Sequence, residues 1–419
     1  MGFEQALSGL TAASQNLDTI GNNIANAATI GFKDVRAEFA DVYAASMGGA
    51  ASATQIGIGT AVAAIAPQFT QGNIATTGNP LDVAINGAGF FRELKNGVVS
   101  YSRDGQFSLD ANGNIVNTNG SQVTGYPADT TGKISSAPPV PLTLSEAPVP
   151  PSVTTTATLS LNLNSTAAAI PATTTFNPTD STTYNSSTSM TVYDTQGNSH
   201  TMTLYFVNNS PNNWSVYATG DGTQLPGTAG AGSPVGTLAF DSSGLLTPSA
   251  PVSMSIAFPQ TAGVLANGAT LNPFPLTFPA TSTSQYGVPF AVSADTQDGF
   301  ATGQLAGFSI GADGVISGRY TNGMTRAQGQ IALASFTNPQ GLIALGGNEF
   351  AQSAASGAPV VGAPTTGSFG AVQSGALESS TVDLTTELVN MITAQRVYQA
   401  NAETVKTEDQ VQQTLMSLR

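Results

Sequence analysis

The residue with the widest catalytic range in this sequence is His200, the single histidine among 419 residues. Any Ser-His-Asp relay would have to be built around it, and no G-x-S-x-G nucleophile elbow accompanies it. It follows the turn residues Gly197 and Asn198 and opens an alternating run, so a strand or surface position is the better reading. The 25 Asp and Glu residues are numerous enough to supply the carboxylate pair of a glycosidase, but such a pair carries meaning only when it converges on one bond. Nothing in the sequence clusters it. Asp110-Ala111-Asn112-Gly113-Asn114 begins like a calcium loop, yet the glycine comes two positions early and Ser121 stands where a bidentate Glu is required. That spacing predicts a hairpin turn. Gly87-Ala88-Gly89 lacks the third glycine of a dinucleotide fingerprint and runs into Phe90-Phe91, which predicts a strand entering a core. Cysteine is absent, which removes disulfides, thiolate ligands and thiol nucleophiles. The expectation is a protein that is not an enzyme, with no cofactor and no metal.

The charge balance narrows the partners. Lys and Arg number 11 against 25 acids, giving −14, and charged residues make up 9% of the chain, far below the roughly 25% of an ordinary soluble domain. Nucleic-acid binding needs clustered cations to displace counterions, and no Lys or Arg occurs between Lys133 and Arg319. No nucleic-acid partner is expected. The first cation is Lys33, so the opening residues lack the basic region of a secretory signal, and no such signal is expected. The longest apolar stretch, Ala61 to Ala66 with its flanks, is far short of the roughly 18 residues that span a bilayer. The chain is not expected to be integral to a membrane.

The elements that would position functional residues are helices at the ends and strands between them. Phe3, Leu7, Leu10, Ser14, Leu17, Gly21 and Ile24 recur at steps of four and three, the spacing of a coiled-coil seam. Leu384, Leu388, Met391, Gln395, Tyr398, Ala402 and Val405 repeat it at the other end, with Asp383 as the N-cap. Between them, short β-branched runs are punctuated by Asp104-Gly105, Asn112-Gly113, Asn119-Gly120, Asp221-Gly222, Asp313-Gly314 and Asn322-Gly323, an antiparallel β pattern. The clearest hairpin pairs Ser189–Tyr193 with His200–Val207. Pro-rich stretches, Pro138 to Pro151 and Pro273 to Pro289, read as extended connectors. The fold class is therefore mainly β with long terminal α-helices, its β domains nested between two coiled-coil-forming helices. The expected division is an N-terminal helix, 1–30, pairing with 375–419; connecting segments 31–71 and 358–374; a split β domain, 72–145 and 286–357; and an inserted β domain, 146–285.

Two readings of the helical stripes stay open at this level. One is an intramolecular helical hairpin packed on the β domain. The other is completion of the stripes by neighbouring subunits, since helices of this size are marginal without packing; a repeated contact that does not close a ring makes an open filament. The second reading expects disordered chain ends in the isolated subunit, with trypsin trimming at Lys33, Arg36, Arg396 and Lys406.

Particular motifs then point to a family. Asn22-Asn23-Ile24-Ala25-Asn26-Ala27-Ala28-Thr29-Ile30-Gly31-Phe32-Lys33 resembles the N-terminal signature of the bacterial flagellar axial proteins, the rod and hook family. Ser374-Gly375-Ala376-Leu377-Glu378-Ser379-Ser380-Thr381-Val382-Asp383-Leu384, with Met391 through Gln395, Arg396, Tyr398 and Asn401, resembles its C-terminal partner, where the family usually has Asn in place of Thr381. Gly78 through Phe91 and Tyr101-Ser102-Arg103-Asp104-Gly105-Gln106-Phe107 are similar to its β core. Val192 through His200, Trp214, Gly329 through Ala334 and Phe336 through Leu342 resemble the hook branch; rod-type members look shorter in the middle.

The resemblance implies a structural subunit polymerising into a flexible curved tube outside the cell, a universal joint carrying torque from rod to filament. Implied partners are identical subunits, the hook cap, the distal rod, the hook-filament junction proteins and the flagellar type III export apparatus. The terminal helices would form the inner tube, with Leu7, Leu10, Leu17, Ile24, Leu384, Leu388, Met391, Tyr398 and Val405 as assembly residues. Asn23, Asn26, Thr29, Gly31, Phe32, Lys33, Gln395, Arg396, Tyr398 and Asn401 are the family-motif residues. The rival readings are a rod-type axial protein and a secreted β-rich adhesin.

Overall fold

The computed structural model describes residues 2–42, 57, 59–171, 173–230, 232–259 and 268–417. Parts of the expected connecting segment, 43–56 and 58, and of the expected insertion, 172, 231 and 260–267, lie outside the described residues. The chain is mostly strand, with a long helix at each end: α1, Gly2–Ala25, and α2, Leu384–Ser417. This is the fold class the periodicity predicts. At 1.5 Å per residue, α2 is about 50 Å long.

Local chemistry sets where the helices stop and start. After α1, the Asn26 side-chain amide donates to the Asn22 carbonyl at 2.9 Å and the Thr29 hydroxyl donates to Asn26 Oδ1 at 3.1 Å. These bonds offer the backbone an alternative to another helical turn. The Asp383 carboxylate accepts the Thr385 N–H and the Thr386 hydroxyl, each at 2.9 Å, a cap contributing about 1 kcal/mol.

Contact density divides the chain into two units. The first comprises Met1–Glu146, Ala306–Arg319 and Thr325–Arg419. It holds the two helices, the antiparallel pair β1, Val35–Val42, and β2, Gly59–Pro67, and a larger antiparallel body. At the centre of that body the strand Phe90–Lys95 pairs with Val98–Ser102 and with Gln122–Pro127. Phe90, Tyr101, Phe336 and Phe350 form a core there, with the Tyr101 and Phe336 rings edge to face at 4.8 Å. Gly87-Ala88-Gly89 leads into this strand, as the aromatic residues after it predict.

The second unit comprises Ala147–Leu305 and Tyr320–Met324. Among its described residues a five-stranded and a six-stranded sheet share a core that includes Leu159, Leu161, Phe206, Trp214 and Phe278. Ser186–Tyr193 pairs with Ser199–Ser210, with Met190 opposite Met202. Met202, Leu204 and Phe206 point inward while Thr201, Thr203 and Tyr205 face the wetter side, which is the alternation read from sequence.

Three expectations need correction. The stretch from Pro138 is not a free connector: Val140–Pro141 pairs with Gln122–Pro127, and Leu142 and Leu144 are buried. Pro273 to Pro289 is not one either, because Phe274, Leu276 and Phe278 are core residues of a strand whose Pro275 faces outward. Residues 286 to 305, which the sequence reading joined to the split domain, lie in the second unit, since Ala291–Gln297 pairs along Ala157–Asn164.

One loop design recurs. At Asp110, Asn117, Asp129, Asp194 and Asp241 the side-chain oxygen accepts the backbone N–H groups two and four residues on, and the glycine three residues on has positive φ. These Asx turns close hairpins through their own side-chain oxygens, and Asp110, the apparent calcium-loop start, is one of them. Asp104-Gly105 is no hairpin: a Cβ on Gly105 would lie 1.7 Å from the Val83 carbonyl oxygen, so that glycine serves close packing. His200 is a buried strand residue, its ring nitrogens 2.6 Å from Asp221 Oδ2 and 3.3 Å from Asp194 Oδ2.

Candidate assembly surface

The two helices pack against each other through their small residues. Gly9, Ala12, Ala13 and Asn16 of α1, and Thr386, Asn390, Ala394 and Asn401 of α2, line a cleft of about 840 Å³ that β1 also borders. A Cβ on Gly9 would lie 3.0 Å from Asn401 Nδ2, so Gly9 leaves room for the Asn401 side chain between the helices. Ile20 and Val397 also line the cleft, but none of the seam residues does.

The stripe residues accordingly stand outside the helix pair. On α1, Phe3 and Leu7 are exposed, Leu7 to 45%, while Leu10, Leu17 and Ile24 are half-buried. On α2, Leu384, Leu388 and Tyr398 are exposed, Leu388 to 51%, while Met391 and Val405 are half-buried. Val389, Ile392 and Val397, outside the seam spacing, are as exposed as Leu388, so the apolar surface of α2 is wider than the sequence stripe. Gln395 and Arg396 are exposed on the same helix.

Beneath the helices lies a buried ionic cluster. The Lys33 ammonium meets Glu378 Oε1 at 2.6 Å and the Thr70 carbonyl at 2.6 Å, and Arg103 Nη1 meets Glu378 Oε2 at 3.2 Å. The Gly72 N–H also donates to Glu378 Oε1, at 2.7 Å, and Arg103 Nη2 donates to the Gly87 carbonyl at 2.8 Å. All three charged side chains are buried. Burial pulls both Lys33 and Arg103 below their ordinary pKa values, against the opposing pull of the Glu378 carboxylate. Main-chain bonds tighten the join: Gly31 N–H to the Glu378 carbonyl at 2.8 Å, and Thr381 N–H to the Phe32 carbonyl at 3.2 Å. The Thr381 hydroxyl accepts the Asp34 N–H at 2.8 Å. Asn23, buried, ties the end of α1 to the same place by donating to the Val35 carbonyl at 2.8 Å and accepting the Val35 N–H at 3.1 Å.

The cluster corrects one expectation: Lys33 is not a free trypsin site, because its side chain is paired and 3% exposed. It also brings in Arg103 and Glu378, to which the sequence reading gave no role. The available signal was the presence of Arg103 and Glu378 inside the family-like motifs of a chain in which only 9% of residues are charged.

A second buried carboxyl lies in the body. Glu93 Oε2 accepts the Asn117 amide at 2.6 Å, and its pKa is pushed up to about 9 by burial first and then by the charges of Glu349 and Asp104. The folded state therefore holds a proton that the unfolded chain releases near its ordinary value of 4.5. The stabilisation is complete below that value and drains away as pH rises toward about 9. Thermal melts from about pH 5 to about pH 8.5 should show a fall in the wild-type melting temperature that Glu93→Gln flattens. Equal slopes for the two proteins would show that Glu93 is ionised in the folded body.

Among the described residues no helix is long and apolar enough to cross a membrane. Four family models match the chain: Flagella basal body rod protein over 3–33, Flagellar hook protein FlgE/F/G D1 domain over 84–170, Flagellar basal body protein FlaE D2 domain over 162–300, and Flagellar basal body rod FlgEFG protein C-terminal over 373–418. The flagellar hook protein FlgE of Salmonella typhimurium is 44% identical over 422 residues, covering 100% of both chains. That of Escherichia coli is 44% identical over 428 residues with the same coverage. That of Borreliella burgdorferi is 32% identical over 449 residues, covering 99% of this chain and 98% of its own. The crystal structure of Helicobacter pylori flagellar hook protein FlgE2 shares the fold, with a TM-score of 0.51 at 15% identity over 73% of this chain and 100% of that one.

Proposed function

The chain belongs to the flagellar hook protein family, and we propose that it serves as the structural subunit of the hook, polymerising into the flexible curved tube that carries torque from rod to filament. The observation that carries this reading is the arrangement of the terminal helices. They meet through small residues and hold Leu7, Leu384 and Leu388 outside the pair. Burying side chains of this size is worth roughly 1.5–3 kcal/mol each, a gain that another copy of the chain can supply. Repeating such a heterologous contact without ring closure builds a helical filament.

In this reading α1 with 375–419 forms the inner tube. The β domains lie outside it, and the Ser/Thr-rich insertion makes weak polar contacts that exchange as the tube bends. The partners are identical subunits, the hook cap during growth, the distal rod below and the junction proteins above. Export runs through the flagellar type III apparatus to a site outside the cell, and the role is structural rather than enzymatic. The test is electron microscopy of the purified chain after salt-induced polymerisation. Hollow tubes of one diameter are the expected result; closed rings or discrete small oligomers at every salt concentration would overturn the reading.

A further inference from the structure

We propose that Glu378 makes the ordering of the two chain ends a single cooperative event, so that neither terminal helix takes its place in the tube without the other. The consequence for the tube rests on the hook-subunit reading; the coupling within one chain does not.

Glu378 stands six residues before α2 and receives donors from three separate stretches: Lys33, just after α1; the Gly72 N–H, after β2; and Arg103, in the body. It is the anion paired with both cations, and it is 1% exposed. If 376–381 came away, Lys33 and Arg103 would remain buried with carbonyl groups and no counter-charge. A buried charge stripped of its partner is strongly destabilising, and the two differ in how they can respond. Arg103 is held by the Gly87 carbonyl and lies 5.4 Å from the centre of the Phe90 ring. Lys33 can reach water only if residues 31–34 lift.

That movement does not stop at Lys33. With 376–381 gone, 31–34 has already lost its bonds from Gly31 to Glu378, from Thr381 to Phe32 and from Asp34 to Thr381, and lifting it pulls on Val35, to which Asn23 anchors the last turns of α1. Release of the C-terminal segment therefore loosens the N-terminal one. Because coupling free energy is reciprocal, release of Lys33 loosens 376–381 by the same factor. The one carboxylate is the point through which both ends are positioned on the body.

Amide hydrogen exchange on the full-length monomer tests this. Lys33→Gln should speed exchange about tenfold at 31–34 and, with it, at 376–383 and the first turn of α2. The strands Phe90–Lys95 and Gln122–Pro127 should be unaffected. Glu378→Gln should give the same pattern from the other end. Thr381→Val strands no charge and should move both segments together by a smaller factor, which keeps the test open if the charge variants fail to fold. Acceleration confined to the substituted side would overturn the coupling. So would equal acceleration across the body strands, which would make the cluster a support for the whole fold, and so would no change at all. A wild-type chain that forms no tubes would count against the hook-subunit reading and leave the exchange result standing.

Discussion

Leu388→Asp is expected to stop subunit addition while leaving the melting temperature of the monomer's β body where it is. Leu388 is half exposed on the outer side of α2, so in the free chain an aspartate there sits in water at little cost. In a tube the same position enters a dry contact, where a carboxylate must stay charged without a partner or take up a proton. Either course costs several kcal/mol, against the roughly 1.5–3 kcal/mol that the leucine contributes when buried. Each subunit meets this loss with every neighbour it contacts, so the critical concentration should rise beyond any practical range. Sedimentation with and without polymerising salt reads assembly, and a thermal melt reads the body. A lowered monomer melting temperature, with polymer yield falling only in proportion to folded protein, would place Leu388 in an internal core and contradict the assembly surface.

What could be read in advance follows the range of the interactions. The start of α2 was legible because the Asp383 cap is local, whereas the expected 1–30 and 375–419 overran: α1 ends at Ala25, and Ala376–Glu378 is a strand held by its partner Ile74–Thr76. The pairing of Ser186–Tyr193 with Ser199–Ser210 was legible because alternation over one strand suffices. The strand Phe274–Phe278 was missed because proline reads as a connector, although Pro275 occupies an outward position and leaves the inward alternation of Phe274, Leu276 and Phe278 intact. The ionic cluster was out of reach for another reason. Lys33, Arg103 and Glu378 are far apart in the chain, and no local period says they meet. A lone lysine after a helix reads as solvated, the common case, and only the fold shows the buried carboxylate waiting for it. The small-residue packing of the helices was hidden by the same habit, since a seam pattern directs attention to leucines and away from Gly9, Ala13 and Ala394. Packing through those small residues is what leaves the leucines uncovered.

Two glycines ten residues apart should respond to alanine with opposite signs. Gly31 has φ +70°, and a Cβ there would lie 2.7 Å from the Asp104 backbone nitrogen and 2.8 Å from the Arg103 carbonyl carbon. Left-handed backbone costs an L-residue about 1–2 kcal/mol. The steric conflict adds to it, because the opposing atoms are main chain in the body and have no rotamer to yield. Gly31→Ala should therefore cost on the order of 3 kcal/mol or more, and the cheapest relief is for the segment carrying Lys33 to leave the body. Limited trypsin digestion should then cut at Lys33, which the wild-type chain protects, and polymerisation should fail even though the melting of the body strands persists. Gly21 lies within α1, and a Cβ there meets nothing within 4 Å. Gly21→Ala should raise the helix content of the monomer and stabilise α1 by about 0.5–1 kcal/mol, with Lys33 still protected. If Gly31→Ala leaves Lys33 uncut and tubes still form, residues 31–34 do not seat against Arg103 and Asp104, and the cluster is not what holds the N-terminal helix to the body.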